Sequence, residues 1–107
     1  MTPEGMVEHQ IFNYLRFKGV FAFKVKTMGT YDAKAGIFRR IGQNYRRGVS
    51  DIIGIFNHRF LAIEVKSAKG RATPEQLAFL SDVNVNGGIA ILARSVEDVE
   101  KGLAKWR

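Results

Sequence analysis

The chain has 107 residues, no cysteine, 46% hydrophobic residues and a formal net charge of +7 from 17 Lys plus Arg against 10 Asp plus Glu. That length fits one domain over 1–107 with a single core that oligomerisation would help, and the composition excludes a disordered chain, a disulfide scaffold and a thiolate metal centre. The basic excess favours a polyanionic partner: nucleic acid comes before an anionic membrane surface, because no helix sets a basic face against a wide apolar one.

In chain order, Thr2 followed by Pro3 reads as an N-cap with proline at the first helical position, and Glu4 suits the positive end of the helix dipole. No basic stretch leads into an apolar one here, and no apolar run approaches membrane-spanning length, so a cytoplasmic location without membrane contact is expected. Met6, Val7, Ile11, Phe12 and Leu15 recur at helical spacing until Gly19. Glu8 projects within that apolar stripe. A carboxylate facing a core needs a partner, either a bound cation or a basic side chain at the stripe's edge.

Val20 to Lys26 alternates as a strand, with Phe21, Phe23 and Val25 on one face and Ala22, Lys24 and Lys26 on a basic face turned to solvent or to phosphate. Thr27 to Lys34 reads as a loop, followed by a short strand from Ile37 to Ile41. Arg39, Arg40, Arg46 and Arg47, interleaved with Tyr45, lead into Asp51. Arginine forks match phosphate oxygens and a tyrosine stacks on a base or sugar, although a charge run is more often a plain solvated face.

The next stretch organises the site. Ile52 to Phe56 and Phe60 to Lys66 are apolar runs separated by Asn57-His58-Arg59, the pattern of a β-hairpin. Alternation puts Ala62, Glu64 and Lys66 on one face and Leu61, Ile63 and Val65 on the other. With the two-residue loop Asn57-His58, Phe56 pairs with Arg59 and Asp51 falls opposite Glu64; an odd loop would send Asp51 to the other face. Two opposed carboxylates repel, and a hard divalent cation such as Mg²⁺, held by one or two carboxylates plus substrate phosphates, resolves the conflict. The bland reading of Glu64-Val65-Lys66 is a solvated surface hairpin.

Ser67 to Ala72 is a basic loop carrying Lys69 and Arg71. Thr73-Pro74-Glu75-Gln76 is a capping-box pattern, so Gln76 reads equally as a cap or as a group touching the phosphate or the attacking water. Leu77, Leu80 and Val83 form the stripe of the helix that follows, which ends at Asn86-Gly87-Gly88. Ile89 to Ala93 is apolar on both faces, as for an interior strand covered by helices. Ser95 caps a last helix with Val96, Val99, Leu103 and Trp106 turned inward. The order gives an α/β fold, a mixed β-sheet flanked by helices.

Helical Glu8, then Gly48-Val49-Ser50-Asp51, then Glu64-Val65-Lys66, then Gln76 on the next helix, together resemble the PD-(D/E)xK nuclease superfamily, and more narrowly a stand-alone virus-type replication-repair nuclease (VRR-Nuc) domain of the kind phages encode. Ser50 stands where that family usually has proline, a departure that touches strand entry rather than ligation. The resemblance implies a restriction-endonuclease-like core. It implies that Asp51, Glu64, the carbonyl of Val65 and Glu8 hold Mg²⁺ or Mn²⁺, and that Lys66 and Gln76 assist the attacking water. It also implies a homodimeric Holliday-junction resolvase that nicks a four-way DNA junction in the cytoplasm of a bacterial host. A nickase or restriction-type nuclease, and a non-catalytic basic nucleic-acid-binding module, are the alternatives.

Overall fold

The computed structural model describes residues 1–25 and 45–107, together with the backbone of two short strands at 31–32 and 37–38. Lys26, Arg39 and Arg40, expected to contact DNA, lie outside the described residues.

Helix α1 (Pro3–Phe17) begins where Thr2 and Pro3 dictate. The Thr2 hydroxyl accepts from the Gly5 amide at 2.9 Å, and proline occupies the first turn, where its missing N–H has no intrahelical partner to lose. Strand β1 (Phe21–Lys24) follows, and the two-residue strands β2 (Tyr31–Asp32) and β3 (Ile37–Phe38) pair with each other in a separate antiparallel ladder. A strand near Ile37 was expected; β2 falls in a stretch that reads as loop, and a two-residue strand is too short for alternation to reveal. Strands β4 (Ile52–Phe56) and β5 (Arg59–Val65) form the hairpin, helix α2 (Pro74–Val85) crosses over, β6 (Ile89–Ala93) returns parallel to β5, and helix α3 (Val96–Ala104) closes the order. The main sheet runs β1-β4-β5-β6.

Helices cover both faces. On one, Ile11 and Leu15 of α1 and Val99 and Leu103 of α3 pack on Ile52, Leu61, Ile63, Val65, Ile89 and Ile91. On the other, Leu80 and Val83 of α2 pack on Ala62, flanked by Ile53, Phe79, Ala90 and Leu92. Strand β5 is thereby buried on both sides from Leu61 onward, which makes it the rigid centre of the molecule.

Four expectations are corrected. The inward face of β1 is the Ala22 and Lys24 face, not the phenylalanine face: Ala22 packs on the α1 side, whereas Phe21 is 63% and Phe23 49% exposed, ring against ring edge-on. Alternation finds the two faces of a strand but not which one a helix covers, and α2 covers only the β5–β6 end of its side. For the same reason Leu77 is half exposed and Phe79 packs in its place. Met6, expected in the α1 stripe, is also exposed. Strand β6, although apolar on both faces, stands at a margin of the described sheet rather than inside it.

Candidate active site

The chemistry-bearing residues gather at one end of the sheet, because antiparallel pairing brings the end of β1, the start of β4 and the end of β5 together, and β6 ends beside β5. The hairpin turn fixes their register. Asn57 and His58 have φ of 50° and 67°, the left-handed pair of a type I′ turn whose twist matches that of the flanking strands. Phe56 pairs with Arg59 and Ile52 with Ile63, so one further step sets Asp51 opposite Glu64.

Asp51 is pinned from both neighbours. Its carbonyl accepts from the Val25 amide at 2.8 Å, and its Oδ2 accepts from the Val65 amide at 2.9 Å. Glu64 is 1% exposed, and its carboxyl is pushed up to about 7: burial penalises its charge, Asp51 adds a repelling charge and a hydrogen bond that favours the protonated form, and Lys66 opposes them. The Lys66 Nζ stands 3.4 Å from Glu64 Oε2, with Lys66 itself mostly covered. Glu64 Oε1 is buried without a hydrogen-bond partner among the described residues. A buried acceptor in that state costs free energy, and so does the carboxyl pair beside it.

Glu8 is held apart from this pair. Its Oε1 lies 2.9 Å from Lys24 Nζ across the α1–β1 groove, the basic-partner alternative of the two that the sequence left open. Among the described residues no three His, Cys, Asp or Glu side chains converge on one point. Gln76 forms the capping box: its Oε1 accepts from the Thr73 amide at 2.9 Å, and its own amide donates to the Thr73 hydroxyl. The capping box uses the oxygen of the Gln76 side chain and not its nitrogen.

Of the residues expected to meet DNA, Tyr45, Arg47, Lys69 and Arg71 are exposed. Arg46 is engaged with α2, in an ion pair to Asp82 at 2.8 Å and with its guanidinium 5.5 Å from the centre of the Phe79 ring. Gly48 allows this segment to lie flat on α2: its φ is +78°, and a Cβ there would stand 2.3 Å from the Glu75 carbonyl. Arg94, at the end of β6, escaped the sequence reading. Its guanidinium donates to the carbonyls of Ser67 and Gly70, the latter at 2.7 Å, and so clasps the loop that carries Lys69 between Lys66 and Arg71. The available signal was an arginine directly after an apolar strand, at the same end as Lys66.

Residues 29–97 match the family described as VRR-NUC domain. The chain belongs to that family. VRR-NUC is a nuclease family of PD-(D/E)xK type acting on DNA, and the four-stranded mixed sheet between helices is that architecture. The match contains Asp51, Glu64, Lys66 and Gln76, whereas α1 and β1, with Glu8 and Lys24, precede it. No curated protein matches the chain. Nucleases of this type use divalent metals, and the residues present fit one: two apposed carboxyls, one oxygen of them lacking a partner among the described residues, offer hard oxygens to a cation. No described helix is long and apolar enough to cross a membrane.

Proposed function

We propose that the protein is a metal-dependent endonuclease that hydrolyses phosphodiesters in branched DNA, acting as a homodimeric Holliday-junction resolvase in the cytoplasm, with residues 1–107 as one nuclease domain. The observation that carries the reading is the buried Asp51–Glu64 pair with its unpartnered Oε1 beside the Lys66 ammonium.

Asp51, Glu64 and the Val65 carbonyl would hold Mg²⁺ or Mn²⁺, and Glu8 would join them directly or through water. A bound divalent cation supplies positive charge to the scissile phosphate and eases deprotonation of the attacking water. Lys66 orients that water and stabilises charge growing on the phosphate oxygens. The Gln76 amide nitrogen, free of the capping box, donates to the phosphate. Asp51 needs its hydrogen bond from the Val65 amide to stay aimed at the same point as Glu64. Two matched incisions require two such sites at a fixed separation, and the exposed Phe21, Phe23, Ile55 and Phe60 give a second copy apolar surface to cover.

Incubating the protein with a four-way junction, a flap and a linear duplex, with and without Mg²⁺, tests the reading. Paired nicks in the junction that require Mg²⁺ are expected. Glu64→Gln and Lys66→Ala should each lower the cutting rate by at least about a hundredfold, on the scale of losing a charge-stabilising group, while junction binding survives. Binding without any cation-dependent cutting by the unaltered protein would leave a non-catalytic module instead.

A further inference from the structure

The Lys24–Glu8 pair lies between two regions of different character. Lys24 ends β1, one residue before Val25, whose amide is bonded to the carbonyl of Asp51, so the Lys24–Glu8 pair stands on the α1 side of the same strand end that carries Asp51. Its pKa is raised, first by the hydrogen bond and charge of Glu8 and to a lesser extent by the charge of Asp51. The partners differ in access: the Glu8 side chain is 17% exposed and that of Lys24 63%. The carboxylate is recessed and the ammonium faces outward, in a groove of about 630 Å³ between α1 and β1 that also presents His9 and Arg16.

Glu8 cannot fully serve two cations. While its Oε1 neutralises Lys24, it has less negative charge to offer a divalent ion at Asp51 and Glu64, and the ammonium itself repels that ion. A phosphodiester reaching Lys24 would change both terms, since it gives the ammonium a new anionic partner and releases the carboxylate. Ion pairs with an exposed member are weakly held, so such an exchange has little to overcome.

We propose that Lys24 is a positioning residue that withholds Glu8 from the carboxylate pair until a DNA phosphate takes the ammonium, so that divalent-cation binding and DNA binding are coupled through this one ion pair. The proposal rests on the reading of Asp51, Glu64 and Glu8 as cation ligands. By reciprocity the coupling runs both ways: DNA tightens cation binding by the factor by which the cation tightens DNA binding.

The test is calorimetric titration of Ca²⁺ into the free protein and into its complex with a four-way DNA junction, with gels confirming that the DNA stays intact. For the unaltered protein, DNA should tighten Ca²⁺ binding about tenfold, within the usual range for linked sites. Lys24→Met should bind Ca²⁺ about tenfold more tightly without DNA and gain little from DNA. Lys24→Arg, which restores the pair, should return both values toward those of the unaltered protein. Glu8→Gln should bind Ca²⁺ no more tightly than the free unaltered protein and lose the DNA-dependent gain. Free-protein affinity unchanged in Lys24→Met overturns the proposal, as does a DNA-dependent gain that persists in Glu8→Gln, because that gain would come from the field of the DNA itself. Asp51→Ala separates this failure from that of the cation-ligand reading, which falls if Ca²⁺ binding is indifferent to Asp51.

Discussion

Glu64 is where stability and function oppose each other. Its carboxyl ionises near 7 in the folded protein, against an ordinary value of 4.5, so the folded state binds its proton more tightly than the unfolded state does. Stability from this group is present below the unfolded value, is lost as pH rises toward 7, and above that the protein carries a buried charge at a cost on the order of 3 kcal/mol. In the absence of divalent ions, urea midpoints should therefore fall between pH 5 and pH 8. Glu64→Gln should flatten that fall and raise stability at pH 8, even as it abolishes cation binding. In the unaltered protein, cation affinity should climb with pH up to about 7 and level off above it, because the ion must displace the proton. A midpoint independent of pH in both proteins would show that Glu64 is not held in its protonated form. The charge pattern of the site was legible in the sequence as Asp51 and Glu64-Val65-Lys66. The degree of burial was not, because it depends on α2 covering the face that Glu64 shares with Ala62.

At the scale of elements, the hairpin was legible because its turn is short and local. A two-residue loop leaves one register, and that register alone aligns Asp51 with Glu64. The caps were legible for the same reason: Thr2, Thr73 and Ser95 each accept from an amide three residues on. What escaped were features set by distant elements, such as which face of β1 meets α1, the exposure of Leu77, and the hold of Arg94 on the loop after Lys66. The turn also permits a prediction. His58 sits at φ 67°, where a side chain is strained and glycine is not. His58→Gly should raise stability by roughly 0.5–1 kcal/mol, read as a shift in denaturation midpoint, and should leave cutting unchanged, since this turn lies at the opposite end of the strands from the site. A loss of activity in that variant would mean that the turn does more than set register.

Over the whole molecule, a charge of +7 acts on DNA as a field, but its arginines and lysines divide by what already holds them. Arg46 is spoken for by Asp82 and Phe79, and Arg94 by backbone carbonyls, so their charges anchor protein to protein. Among the described residues, Arg47, Lys69 and Arg71 are exposed near the carboxylate end of the sheet and available to displace counterions from a phosphate backbone. Each phosphate contact contributes about 0.9 to the slope of log affinity against log salt on duplex DNA. Replacing Lys69 and Arg71 together by alanine should therefore make the slope shallower by about 2 and weaken junction and duplex binding alike, since phosphate contacts carry no sequence information. Arg46→Ala should instead leave the slope nearly unchanged and lower the denaturation midpoint, because what it removes is the tether of the segment before Asp51 to α2. Affinities measured from low to moderate salt for the three proteins separate these outcomes: equal slopes throughout would move the DNA contact surface away from the loop after Lys66.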